Sequence, residues 1–131
     1  MTTLTGEQLN SIKKRLDEYH QELREEIRQE LLRSDEEHYI DLAGNVHDAG
    51  EESVADMLAD LDIATIDRQI NEIKQIEAAR MRIATGNYGI CVDCEEDIDV
   101  ARLQNMPYVE RCVKCQSQYE KTPAYKSTSK L

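Results

Sequence analysis

A chain of 131 residues is one domain's worth, or a small domain carrying an appendage, and its make-up points to the second: hydrophobic residues are 40% yet include no Phe and no Trp, charged residues are 33% and mean hydropathy is negative, which excludes a large globular core. With 27 acidic against 16 basic residues the formal net charge is -11, and sequence-independent binding to nucleic-acid phosphates is disfavoured because it depends on Lys and Arg releasing counterions. No apolar run approaches the roughly 18 residues of a membrane span.

Thr5-Gly6-Glu7-Gln8 has the form of a capping box just ahead of an apolar-periodic segment, so a helix is expected to start there. Leu9, Ile12, Leu16, Tyr19 and Leu23 alternate three and four apart, and Ile27 and Leu31 continue the seam, as in a coiled coil. Lys13, Lys14, Arg15, Glu22, Arg24, Glu25, Glu26, Arg28 and Glu30 make a mixed-sign solvated face.

The helical pattern fades over Ser34 to Leu42, and the stretch Ala43 to Gly50, with Gly44, Asn45 and Gly50, reads as a turn. A second helix is expected from Asp48 or Ser53, either of which can cap it, to Gly86, a left-handed stop signal. Its apolar positions include Val54, Leu58, Leu61, Ile63, Ile66, Ile70, Ile73, Ile76 and Ile83. Two helices of about 35 residues joined by a short loop would form an antiparallel hairpin roughly 50 Å long. The seams are too narrow for the inside of an enclosed bundle; pairing with a second copy into four helices is the alternative.

All four cysteines lie in two CxxC pairs, Cys91-Val92-Asp93-Cys94 and Cys112-Val113-Lys114-Cys115, seventeen residues apart. Each two-residue gap lets both sulfurs of a pair reach one ion, and two such knuckles supply the four thiolates that tetrahedral Zn²⁺ prefers. A pair of disulfides would need an oxidising compartment, whereas Met1-Thr2-Thr3-Leu4 opens no signal segment and a reducing cytoplasm is expected. A thioredoxin-like site needs a strand before its CxxC, and Gly86-Asn87-Tyr88-Gly89 is a turn; an iron–sulfur centre could use the same thiolates. Four thiolates leave no open coordination position, so one structural zinc is expected. Ile98 and Leu103 are the apolar fillers beside it, Pro107 bends the chain back, Gln116 to Lys121 can form a short helix, and the polar tail beyond Thr122-Pro123 is expected to be disordered.

The expected fold is therefore mainly α: a long antiparallel coiled-coil helical hairpin over 1–86 with its tip at about 41–53, a small four-cysteine zinc-finger base with a short C-terminal helix over 87–121, and a tail over 122–131. Such a shape has little interior in which to bury a substrate, which excludes an ordinary small-molecule enzyme. The tip gathers Asp41, His47, Asp48, Glu51 and Glu52, an acidic cluster suited to a cationic surface or to a metal ion held by a partner. A solvated turn with helix-capping acids explains the same residues. His20 and His38 fall in charged helix faces and point to no role.

The block Asn87-Tyr88-Gly89-Ile90-Cys91-xx-Cys94, then Ile98, Arg102-Leu103, Pro107 and Cys112-xx-Cys115-Gln116, behind an acidic helical hairpin, resembles the DksA/TraR family of bacterial transcription factors over roughly Asp41 to Gln118. The resemblance implies a cytoplasmic regulator that binds RNA polymerase and not DNA, lays the hairpin into the secondary channel and places acidic tip residues near the catalytic Mg²⁺. It carries Cys91, Cys94, Cys112 and Cys115 over as zinc ligands. Counting back from Cys91, the family's Asp-xx-Asp-x-Ala tip falls on Asp48, Glu51 and Ser53, which keeps both acids but not the second Asp or the Ala. Glu95 replaces the Gly that follows the first knuckle, so strained backbone is expected there. Met106 and Gln116 stand where members that bind ppGpp carry basic residues, which weighs against a shared ppGpp site. A self-associating zinc-stapled structural hairpin, and a Gre-like transcript-cleavage factor whose tip acids would hold a second Mg²⁺, are the competing functions.

Overall fold

The computed structural model describes residues 4–34, 36–61 and 63–122. Among them six α-helices run in the order α1 (Gly6–Leu32), α2 (Glu37–His47), α3 (Val54–Met57), α4 (Asp67–Thr85), α5 (Val100–Asn105) and α6 (Val113–Tyr119), with a 3₁₀ turn at Ala64–Ile66.

The capping box starts α1 as expected: the Thr5 hydroxyl accepts from the Gln8 N–H at 3.1 Å while the Thr5 N–H donates to Gln8 Oε1 at 2.9 Å. Along α1 the buried stripe is Ile12, Leu16, His20, Leu23, Ile27 and Leu31, facing Ile70, Ile73, Ile76 and Ala79 of α4 in one core. Each fully buried Leu or Ile contributes about 1.5–3 kcal/mol. Arg80 pairs with Asp17 at 3.3 Å and Glu77 with His20 at 2.7 Å, so residue numbers rise on one helix as they fall on the other and the pair is antiparallel. Gly86, with φ 79°, ends α4 in the left-handed conformation that its lack of a Cβ makes inexpensive.

Two expectations are corrected. The segment Ser34 to Gly50 is not a fading pattern followed by a turn, because α2 occupies Glu37–His47 and runs through Gly44 and Asn45. Ala43 and Val46, at 1% and 0% exposure, seal against α1, and this packing outweighs the roughly 1 kcal/mol that an exposed helical Gly costs. Nor does one helix run from Asp48 or Ser53 to Gly86. Ser53 does cap a helix, accepting from the Asp56 N–H, but α3 is a single turn, Ile63 is extended (φ -113°, ψ 108°), and α4 starts only at Asp67. Asp56, Asp60 and Thr65 are weak helix formers, so packing decides: the non-helical link buries Leu58 and Ile66 and tucks Leu61 and Ile63 against the same core.

These corrections move the ends of the molecule. Since α2 folds back along α1, the end farthest from the cysteines is formed by the turn after α1 and the 3₁₀ turn, where Leu31, Ser34, Tyr39, Ile63 and Ile66 line one cleft. Residues 48–53, expected at that end, lie instead beside the middle of α1 and the second half of α4, where Gly50, Glu51, Glu52 and Ser53 share a cleft with His20 and Glu77. The short C-terminal helix begins at Val113, inside the second knuckle, earlier than the expected Gln116. The tail from 123 onward falls outside the described residues. No helix among the described residues is long and apolar enough to cross a membrane.

Candidate functional site

The first knuckle is built by backbone geometry. Gly89 (φ 86°) turns the chain, Ile90 and Asp97 form an antiparallel bridge, and the Ile98 N–H donates to the Gly89 carbonyl at 2.8 Å. Inside that bridge the Cys91 N–H donates to the Glu96 carbonyl and the Glu95 N–H to the Cys91 carbonyl, closing the loop around both sulfurs. Glu95 sits at φ 63°, the only non-Gly residue with positive φ among the described residues, at the position where the family resemblance leads one to expect strain. The second knuckle is a helix start: Cys112 caps α6, its sulfur accepting from the Cys115 N–H at 3.5 Å, so Cys115 projects from the first turn.

Side chains then lock the knuckles together. Arg111 pairs with Asp93 at 2.7 Å and with Glu110 at 2.9 Å, and its guanidinium lies 3.9 Å from the centre of the Tyr119 ring. Arg102 Nε donates to the Arg111 carbonyl at 3.0 Å, and the buried Tyr88 hydroxyl donates to the Pro107 carbonyl at 2.6 Å, burial pushing its pKa up to about 12. Ile98 and Leu103, 2% and 0% exposed, fill the space behind, as the sequence predicts. Arg82 of α4 reaches Glu110 at 3.7 Å, and Arg15 of α1 donates to the Gln104 carbonyl, fixing the base to the helical pair.

The outcome is four sulfurs, Cys91, Cys94, Cys112 and Cys115, all within 4.8 Å of one another, with Cys94 and Cys112 at 3.9 Å. A tetrahedral ion with Zn–S bonds of about 2.3 Å needs sulfurs about 3.8 Å apart, so the set fits one structural zinc. Burial alone would raise the Cys91 thiol, but amide N–H groups of Cys94, Cys112 and Asp93 outweigh it and bring its pKa down to about 6, while the neighbouring Cys112 and burial push Cys115 up to about 12. So close a set sheds all four protons only when a cation holds it together.

The acidic residues lie apart from this centre. Asp48 is the C-cap of α2, Gly50 (φ 59°) makes the turn, Asp48, Glu51 and Glu52 are exposed, and Ser53 caps α3. Glu77 anchors the segment from α4: its carboxylate accepts from the Ser53 hydroxyl at 2.6 Å and from the Val54 N–H at 3.0 Å, and it meets His20 Nε2 at 2.7 Å. Burial works against its charge, but His20, Ser53 and Val54 hold its pKa below the usual carboxylate range. Sequence reasoning missed this cluster by assigning His20 to a solvated face, whereas it is 5% exposed. The available signal was periodicity: His20 follows Leu16 by four and precedes Leu23 by three, a polar interruption of the apolar stripe, and Glu77 stands four after Ile73 on the facing helix.

A model of the prokaryotic dksA/traR C4-type zinc finger matches residues 86–121. The chain is 26% identical over 114 residues to an RNA polymerase-binding transcription factor DksA of Haemophilus influenzae, spanning 87% of this chain and 75% of that one. It is 28% identical over 120 residues to the protein of that name in Caulobacter vibrioides, spanning 90% and 80%. The solved structure of transcription factor DksA2 from Pseudomonas aeruginosa shares the fold with a TM-score of 0.56, at 24% identity and with 88% of this chain and 85% of that one covered. The two knuckles, brought together as four clustered sulfurs, thus coincide with the stretch that matches a dksA/traR C4-type zinc finger, and the chain carrying it is similar over most of its length to DksA transcription factors.

Proposed function

We propose that the protein is a cytoplasmic transcription regulator that binds RNA polymerase directly, without contacting DNA and without catalysing a reaction of its own. The observation that carries the reading is the pairing of a zinc base of this family with two exposed acids, Asp48 and Glu51, at the positions where the resemblance places the tip acids. The helical pair enters the secondary channel, the acids act on the polymerase's catalytic centre, and the base docks outside. The net charge of -11 supports a protein partner over a nucleic acid, since the phosphate backbone would be repelled.

The test is photo-cross-linking from a probe at position 48 with purified bacterial RNA polymerase, the adducts mapped by mass spectrometry. Adducts beside the polymerase catalytic centre are the expected result. Adducts confined to a second copy of this protein would replace the reading with a self-associating helical scaffold. In the companion transcription assay Asp48→Asn is expected to abolish the regulatory effect while polymerase affinity stays nearly unchanged.

A further inference from the structure

The half-buried Glu77 carboxylate caps a segment 24 residues away in the chain. It sits eight residues before the end of α4, about 12 Å along the helix axis, so the loop it holds lies nearer the zinc base than the far end of the molecule. From His20 to the end of α1 there remain twelve residues, about 18 Å. A partner channel that admits the far end first would therefore meet the turn after α1, with Asp48 and Glu51 held well behind it.

We propose that Glu77, seated on His20, is a latch that keeps the acidic loop 48–53 folded against the middle of the helical pair, and that the loop acts on a partner only after this latch opens. The inference deepens the function proposed above and rests on it for the identity of the partner. Three features make the segment able to open. α3 is one turn, too short to persist unsupported, and Gly50 together with the non-helical link after Leu58 gives hinges on both sides. The closed state is held by two anchors: the apolar contacts of Ala49, Val54, Ala55 and Leu58, and the Glu77 carboxylate. When the loop leaves, Glu77 keeps its 2.7 Å bond to His20, so opening strands no unpaired buried charge.

The experiment uses the full zinc-loaded chain and compares wild type with Glu77→Gln, which keeps the shape but removes the charge, and with Ser53→Ala, which removes one latch bond from the other side. In the free protein, amide hydrogen exchange at Glu52 and Leu58 is expected to quicken at least tenfold in Glu77→Gln and several-fold in Ser53→Ala, with Leu23 and Ile73 changing less than twofold. In a transcription assay Glu77→Gln is expected to reach its half-maximal effect at a several-fold lower concentration than wild type. Exchange that does not quicken at the loop, or that quickens equally along α1 and α4, overturns the latch. Local quickening with unchanged or weaker potency, where wild type regulates, overturns the gating. If wild type neither regulates transcription nor cross-links to polymerase, it is the functional reading that fails, and the exchange measurement alone then upholds or overturns the latch.

Discussion

The zinc base and the acidic loop are both short irregular segments, yet they are held in opposite ways. In the base, each knuckle closes on partners close in sequence, Cys91 with Glu95 and Glu96 and Cys112 with Cys115, and Arg111 beside Glu110 then ties the second knuckle to Asp93 of the first. The metal supplies what so small a core cannot. In the loop the decisive partner is Glu77, 24 residues on from Ser53 and 57 from His20, and it acts through hydrogen bonds. A locally closed, metal-dependent unit should lose its structure as a whole, whereas a segment pinned by one distant carboxylate should be released alone.

Chelation gives the largest separation between the two. Structural zinc in small modules is worth on the order of 10 kcal/mol of folding energy, so a strong chelator is expected to melt α5 and α6 while α1 and α4 keep their helicity. Circular dichroism should show a partial loss, and amide exchange should confine it to residues 87–122. An unaltered spectrum would count against a structural metal. A complete collapse would show that Arg15, Arg82 and the packing around them make base and helices one cooperative unit.

Leu16→Ala tests the opposite direction. Leu16 is fully buried on the seam, and truncating such a side chain costs about 2–5 kcal/mol. Urea denaturation should show that loss as a lower midpoint, with zinc affinity unaltered if the base stands on its own. A parallel fall in zinc affinity would erase the proposed independence.

This contrast also explains what the sequence could reveal. The capping box at Thr5, the seam from Ile12 to Leu31, the stop at Gly86, the four clustered cysteines and the fillers Ile98 and Leu103 all follow from spacing or from a single residue's conformational demands and were legible, whereas the strained position at Glu95 was legible only through the family resemblance. The path from Ser34 to Asp67 was not. Gly44 and Asn45 read as a turn because local propensity ignores the burial of Ala43 and Val46, and no Gly or Pro marks the break after Met57. Glu77 looks like any helix-surface acid until the chain brings Ser53 to it. Propensity is local, and the loop is organised by contacts that are not.

Acid should sharpen the same division. Glu77's folded pKa lies below that of an unfolded carboxylate, so the open segment binds protons more readily than the closed one; the stabilisation is complete above the ordinary carboxylate pKa and is lost as pH falls through the folded value. The zinc thiolates face direct competition from protons and should fail at higher pH. Amide spectra recorded during acidification are expected to lose the base first and the signals of Val54 and Ala55 afterwards. In Glu77→Gln the loop step should no longer depend on acid; its persistence would assign the acid sensitivity to another group.

The smallest effect is expected at Glu95. Its φ of 63° costs an L-residue about 1–2 kcal/mol, which Gly does not incur. Gly also gains freedom in the unfolded chain, giving back about 0.4–1 kcal/mol, so Glu95→Gly should stabilise the zinc-loaded base by roughly 0.5–1 kcal/mol. The Glu95 N–H to Cys91 carbonyl bond that closes the knuckle is a backbone bond and survives the substitution. Removing one carboxylate from a stretch that also holds Asp93, Glu96 and Asp97 adds to the gain by lessening repulsion. A melting temperature raised by about 2–4 °C would confirm strain held in place by the metal. A lowered one would mean that the Glu95 side chain contributes more to the base than its backbone costs, and the strain would then be offset within the knuckle itself and not by the zinc.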